Sequence, residues 1–491
     1  MFFMFKNFKP CIYDILLIIL IIVFIIIKIP YLSLPYYWDE AWVYGPALRI
    51  MESHKLSLLP DALPVYYSRG HPLFFHFMGA LWLRIFGTSL VASHIYALFI
   101  SIALLTSVYI FCKKLFSKEV GIIACLFLML QPIFQAQSAL VLPEVMLSLF
   151  SLLTIFFFIR GKWLGYIISA TLVLYTKETG IVAIASAGLW FLIETLILKR
   201  KEFKIKQFLL RSVTLLVPLV FIVFFFILQK QINGWYFFPE HINYLIHDSR
   251  TFSDKLNGYA AYLFIYWGRN VLSSAIIVSL FLYLYFKKHL NNPANKPLLI
   301  LAIYILLFLI ASSFNFYSDR YCMSMMAPFV IITAYLVFYT FSKKIFLFAF
   351  IASIVIIQIF IFLPKKTNSD HNLGYAEPVK THQQMVNYCI ENNFREKKIF
   401  AHFLMLGNLK NPYCGYLSED QKFTNVSSTF DKNTEICIFS NMEGADEYKQ
   451  IKKSANLKLL KRFESKQAWS EIYEVVSGEK TEEWSAFQES K

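Results

Sequence analysis

Four short polar stretches interrupt an otherwise apolar chain and carry side chains able to do chemistry. They are Asp39-Glu40, within Tyr37-Trp38-Asp39-Glu40-Ala41, then Glu144, Lys177-Glu178 and Asp319-Arg320-Tyr321. Carboxylates can accept protons or hold cations, whereas Arg grips anions with a bidentate fork and Lys acts as a point charge. All four lie at the ends of hydrophobic runs. An ionisable group at membrane depth is costly unless paired or employed, so each is a functional candidate by default. Each also has a plain structural reading. Asp39-Glu40 can be an ordinary polar loop, Glu144 a helix cap, Lys177-Glu178 an interfacial ion pair and Arg320 a snorkelling anchor. For His71 and His76, packing and hydrogen bonding is the preferred reading.

What positions these residues is a set of membrane spans. Of 491 residues, 57% are hydrophobic, 18% aromatic and only 16% charged, whereas a soluble chain is about a quarter charged. The net charge is +15, yet the chain from Lys365 onward holds 18 Lys+Arg and 18 Asp+Glu. The excess therefore belongs to the first 364 residues, where it clusters between apolar runs. That is the positive-inside pattern of a polytopic membrane protein, not the basic face of a nucleic-acid binder. Eleven spans are predicted, at about 11–28, 90–112, 119–136, 145–160, 163–176, 180–198, 208–229, 270–286, 297–314, 321–341 and 345–363. Basic loops (Lys6/Lys9, Lys113/Lys114/Lys118, Arg160/Lys162, Lys199–Lys206, Lys287/Lys288/Lys296, Lys343/Lys344) then fall on one side, the cytoplasmic one. The N-terminus is inside and the C-terminus outside. The first run lacks a small-residue cleavage site and is read as a retained helix.

The segment His71–Gly87 tests this count. Its roughly 16 helical residues reach only about 24 Å, short of a ~30 Å core. A crossing there would also move most later basic loops outside. It is predicted instead to lie along the outer interface, as is a helix starting at Gly45-Pro46 that turns Tyr44, Ala47, Leu48 and Met51 to one face. The first outer loop, 29–89, thus becomes a folded platform carrying Asp39 and Glu40. A second large outer loop, 230–269, is rich in aromatics (Trp235–Phe238) and histidines (His241, His247). Residues 1–364 form the membrane domain and 365–491 a small extracytoplasmic α/β domain. In the latter, a helix is expected over 381–393 and strands over 398–403, 435–440 and 458–476. Seven cysteines show no zinc-ligand spacing; Cys389, Cys414 and Cys437 could include one disulfide. The overall class is a mostly α membrane protein with a C-terminal α/β domain.

The run from Asp39-Glu40 through Arg69-Gly70-His71-Pro72-Leu73 to Leu83–Ser89 resembles the first luminal loop of the glycosyltransferase C-fold (GT-C) superfamily. It is similar to the protein O-mannosyltransferases and the lipid A aminoarabinose transferases. Lys113-Lys114-Leu115-Phe116, Gln131-Pro132, Glu144, Thr176-Lys177-Glu178, Arg320-Tyr321 and Pro328 continue the match in order. The chain departs from the pattern in three places. Ala92-Ser93-His94 stands where an Arg is usual, Glu144 where Asp is common, and the HPP motif is reduced to His71-Pro72-Leu73.

The resemblance implies a hexosyl- or pentosyltransferase of a cell envelope, and the Lys/Ile/Phe-rich residue usage points to a bacterial inner membrane as the expected location. It would move a sugar, with inversion, from a polyprenyl-phosphate donor to a protein, lipid or glycan acceptor on the outer face. It implies Asp39 as the base, with Glu40 as the alternative or an orienting partner. Arg320 and Lys177 would contact the phosphate, with Tyr321, Glu178, Arg69 and His71 in the substrate site. Glu144 would orient sugar hydroxyls or, with Asp39, help hold a divalent cation such as Mg or Mn. The competing class is a transporter or flippase for lipid-linked substrates, which would place ionisable groups near the midplane in repeated halves.

Overall fold

A computed structural model describes residues 11–245, 249–285, 295–341, 343–363, 366–443 and 445–476. Lys6, Lys9, His247, Lys287, Lys288 and Lys365 lie outside the described residues. The helices are α1 (Ile12–Lys28), α2 (Gly45–Ser53), α3 (Val65–Ser68), α4 (Phe74–Phe86), α5 (Leu90–Leu115), α6 (Lys118–Met129) and α7 (Pro132–Gln137). Then follow α8 (Glu144–Ile159), α9 (Trp163–Thr176), α10 (Ile181–Leu192), α11 (Ile205–Asn233), α12 (Pro239–Asn243), α13 (Ser249–Phe264) and α14 (Arg269–Tyr285). Next come α15 (Asn295–Ser313), α16 (Met323–Thr340), α17 (Lys344–Ile357), α18 (Ala376–Glu391), α19 (Phe403–Lys410) and α20 (Ala445–Ser454).

Every predicted span coincides with a helix, but not every helix is long enough to cross. Among the described residues, seven helices have the length and apolarity of a span, or eight if the bent pair Arg250–Phe264 and Tyr266–Leu282 counts as one. The remainder of the eleven are short. The 16 residues of α8 reach about 24 Å; most of them are surrounded by protein, so lipid does not set their length. The expected span 119–136 is two helices, α6 and α7, separated at Leu130-Gln131 because Pro132 cannot continue the preceding hydrogen-bond ladder. The outer loop expected at 230–269 contains a full helix, α13, joined to α14 with a 51° bend. Trp267 and Gly268 take positive φ at that break.

The two amphipathic helices form as their apolar faces require: Ala47, Leu48 and Met51 of α2 are buried, as are Phe75, Ala80 and Leu83 of α4. The chain also returns to the end it started from. Glu40 before α2 contacts His94 at the start of α5, at 3.0 Å, so the intervening α4 does not carry the chain across the bundle. The basic residues Lys113 and Lys199 end helices that begin at this site end, and they pair with Asp14 and Glu194 at the far end.

The tail holds a five-stranded sheet of β1 (Ile399–Ala401), β2 (Val426–Ser427), β3 (Ile436–Ser440), β4 (Leu457–Ser465) and β5 (Ala468–Val475), in the order β2-β1-β3-β5-β4. β2, β1 and β3 are parallel; β3, β5 and β4 are antiparallel. The expected helix and strands are present, and α19, α20 and β2 are additional elements. Tail and bundle share one continuous core, in which Tyr375 and Val379 join residues of α5 to α9. Cys389, Cys414 and Cys437 are all free thiols in separate elements.

Candidate functional site

The loop bearing Asp39 is stapled by the two tyrosines that precede it. The Tyr36 hydroxyl donates to Ser93 Oγ at 2.6 Å, and the Tyr36 N–H to the Cys414 carbonyl at 3.2 Å. The Tyr37 hydroxyl donates to the Asn368 carbonyl at 2.9 Å. Directly after these anchors Trp38 adopts φ +47°, a left-handed conformation that costs a bulky residue about 1–3 kcal/mol. A π-helical turn, Glu40–Tyr44, follows. Such strain next to a carboxylate is a common mark of a functional corner.

Neighbours in sequence, Asp39 and Glu40 have opposite environments. The Glu40 carboxylate is fully buried and accepts from the Tyr37 N–H at 3.1 Å and the Val141 N–H at 2.7 Å, with His94 Nε2 at 3.0 Å. It is an internal staple that faces no described cavity. His94 supplies the partner for this acid. Glu40→Ala would strand two backbone donors and an imidazole, so a loss of about 3–5 kcal/mol is expected. Denaturant unfolding in detergent measures it, and Glu40→Gln should recover part of the loss.

Asp39 points instead into a cavity of about 400 Å³, together with Trp42, Arg320, Tyr321, Asn368 and Asp370. Its Oδ1 accepts from Trp42 Nε1 at 3.0 Å and its Oδ2 from Arg320 Nη2. Three carboxylates surround that one guanidinium. Nη1 donates to Asp370 Oδ2 at 2.9 Å, and Nε lies 3.4 Å from Glu144 Oε1. Glu144 Oε1 also accepts from Lys177 Nζ at 3.3 Å, and that ammonium sits 4.3 Å from the centre of the Tyr321 ring. Burial opposes ionisation of Asp39, but the Arg320 charge and hydrogen bond outweigh it and hold the pKa below the ordinary carboxylate value. Asp370 goes the other way. Burial raises its pKa, the Asp39 charge adds to the rise, and Arg320 only partly offsets it. Asp39 and Asp370 on the same Arg are thus shifted in opposite directions, Asp39 toward the ionised form.

A second cavity, of about 120 Å³, adjoins the first and shares Tyr244, Phe316 and Tyr321 as its wall. Lys177, Glu144, His71, Glu178 and His241 line it. His71 Nδ1 meets Glu178 Oε2 at 2.9 Å. His241 stands beside His71, with ring centres 4.7 Å apart; burial, then the His71 charge, lower its pKa to about 4.

The structure therefore brings together Asp39, Glu144, Lys177, Arg320 and Tyr321, with Glu178 and His71 as a neighbouring pair. Arg69 lies outside both cavities. It pairs with Glu240 and stacks on Trp42 and Phe238, so it braces the loop after α11. Asp39 and Glu144 do not fit an Mg or Mn site, because the Arg320 guanidinium fills the space between them. Among the described residues, the group with metal-ligand spacing is His71, Glu178 and His241, whose donor atoms lie within 4.8 Å of one another. Sequence reading missed Asp370, which lies in a polar stretch counted as the start of the soluble tail. Its signal was position, seven residues past the last apolar run.

Residues 70–238 match the family model described as dolichyl-phosphate-mannose-protein mannosyltransferase. That match covers less than half of the chain, and the solved structures that follow share its overall fold. Among solved structures, it is similar to ArnT from Cupriavidus metallidurans bound to undecaprenyl phosphate. The TM-score there is 0.59 at 11% identity, covering 94% of this chain and 98% of that one. It is also similar to the Archaeoglobus fulgidus oligosaccharyltransferase AglB in complex with an inhibitory peptide and a dolichol-phosphate. That match has a TM-score of 0.52 at 12% identity and covers 94% of this chain and 74% of that one. The same archaeal enzyme in complex with Zn and sulfate gives 0.51 at 12% identity, over 90% and 71%. No curated protein matches the chain by sequence.

Proposed function

We propose that this protein is an integral-membrane glycosyltransferase that transfers a sugar, with inversion, from a polyprenyl-phosphate donor to an acceptor hydroxyl at the outer face. The observation that carries this reading is the pairing of an ionised Asp39 with Arg320 and Lys177 across two adjoining cavities at one end of the bundle. Transfer needs a base for the acceptor proton and fixed positive charge for the departing phosphate. The acceptor oxygen attacks the anomeric carbon as the bond to phosphate oxygen breaks; Asp39 takes the hydroxyl proton and the lipid phosphate leaves. The two neighbours whose names include undecaprenyl phosphate and dolichol-phosphate support a donor of this lipid class. A transporter would be expected to place its charges near mid-bundle, whereas these cluster at one end.

A phosphate entering at Arg320 and Lys177 competes with the carboxylates already there. Of Asp39 and Asp370, burial and the neighbouring charge push only Asp370 toward the neutral form, so it is the natural one to yield. The incoming phosphate would draw Arg320 charge from Asp39 and make it a stronger base. Asp370→Asn is therefore expected to keep transfer within about tenfold of wild type and to lower the donor KM. An unchanged or raised donor KM removes this competition.

The test of the function is a mass spectrum of polyprenyl-linked sugars in cells lacking the gene. One lipid-linked sugar is expected to accumulate and to disappear on complementation with wild type but not with Asp39→Asn. Equal complementation by both, or no accumulation, overturns the reading.

A further inference from the structure

We infer that His71, Glu178 and His241 form a binding site for a first-row divalent cation with the ligand preference of zinc. Two imidazole nitrogens and one carboxylate oxygen are the borderline donor set that such ions select over Mg or Ca. The three donor atoms lie within 4.8 Å of one another. An ion about 2.1 Å from each would hold them roughly 3.4 Å apart, so shifts of about 1 Å complete the site. Rotation about side-chain bonds supplies that.

The ligands come from three separate segments: the turn before α4, the turn between α9 and α10, and the loop after α11. Their approach is already fixed by other contacts. Gly70 takes φ +71°, and a Cβ there would stand 2.9 Å from Phe238 Cβ and from Trp235 Cζ3. No larger residue would let His71 sit this close to the loop. Gln229 Nε2 donates both to the Gly70 carbonyl at 3.2 Å and to the Tyr236 carbonyl at 2.8 Å. Arg69 pairs with Glu240, next to His241. Both halves of the site are thus held together without the ion, which needs only to replace the His71–Glu178 hydrogen bond.

Three protein ligands leave a tetrahedral ion one open position. All three also line the 120 Å³ cavity that holds Lys177 and Glu144. The open position can therefore take water or an anionic oxygen entering that cavity. The ion would tie the loop after α11 to the wall of the bundle, a role the Asp39–Arg320 cluster does not fill.

Full-length protein in detergent, stripped with a chelator and re-equilibrated with Zn²⁺, tests this without any measurement of transfer. One zinc per chain is expected by elemental mass spectrometry, together with a zinc-dependent rise in thermal stability. Glu178→Gln should weaken binding at least about tenfold, and the His71→Gln/His241→Gln pair should abolish it. Asp39→Asn should bind zinc like wild type, which separates this site from the transferase reading. Wild type that takes up no zinc and gains no stability, or ligand variants that bind as wild type does, would show the cluster to be an ion pair only.

Discussion

Asp39→Asn is expected to lower transfer by about 10²–10⁴-fold, the range for removing a positioned general base, while the protein inserts and folds normally. The amide keeps the shape of the side chain and can still meet the Trp42 N–H. Arg320 keeps two further carboxylate neighbours, Asp370 and Glu144, so the cluster does not collapse. The loss should fall on kcat, because the base acts in the transition state and not on donor binding.

The pH profile sharpens this expectation. Asp39 has a folded pKa below the ordinary carboxylate value, so the free enzyme holds its base ionised through the neutral range. The acid limb of kcat/KM, which reports the free enzyme, should therefore lie below about pH 4. The limb of kcat reports the complex, where donor phosphate draws Arg320 away. It should lie at higher pH than the limb of kcat/KM. Coincident limbs, or an Asp39→Asn enzyme with near-wild-type kcat, would remove Asp39 from the base role.

The membrane portion was legible because its information is local. Apolar runs, basic clusters and Pro-Gly starts place helices one at a time, and charge alternation put Asp39, Glu144, Lys177 and Arg320 at one end before any contact was known. What stayed hidden depends on contacts distant in sequence. Asp39 and Glu40 are indistinguishable by type and position; only the Val141 N–H and His94 make one a staple and leave the other in a cavity. Asp370 meets Arg320 across 50 residues through a loop with no pattern of its own. Helix length misled in one respect. α8 is shorter than a bilayer because protein, not lipid, surrounds most of it, and a hydropathy count cannot see that.

Arg320→Ala should have the largest effect on the protein as a whole. It removes the one cation that Asp39, Glu144 and Asp370 share, leaving carboxylates with only Lys177 to balance them. Breaking a buried ion pair by deleting one partner costs about 3–5 kcal/mol. Here, partial exposure of Asp39 and Asp370 puts the expectation at the lower end. The same change removes the fork proposed to hold the donor phosphate, so donor binding should weaken along with stability. Two further variants separate these effects. Arg320→Lys restores a charge but not the bidentate geometry, so it should recover most of the stability and little of the donor affinity. Arg320→Ala with Asp370→Asn removes one of the stranded acids, so it should be more stable than Arg320→Ala alone, with donor binding still lost. Donor titration and denaturant unfolding of the same detergent samples measure both quantities. If Arg320→Lys binds donor as tightly as wild type, Arg320 is a structural clasp for three acids and the phosphate contact falls to Lys177.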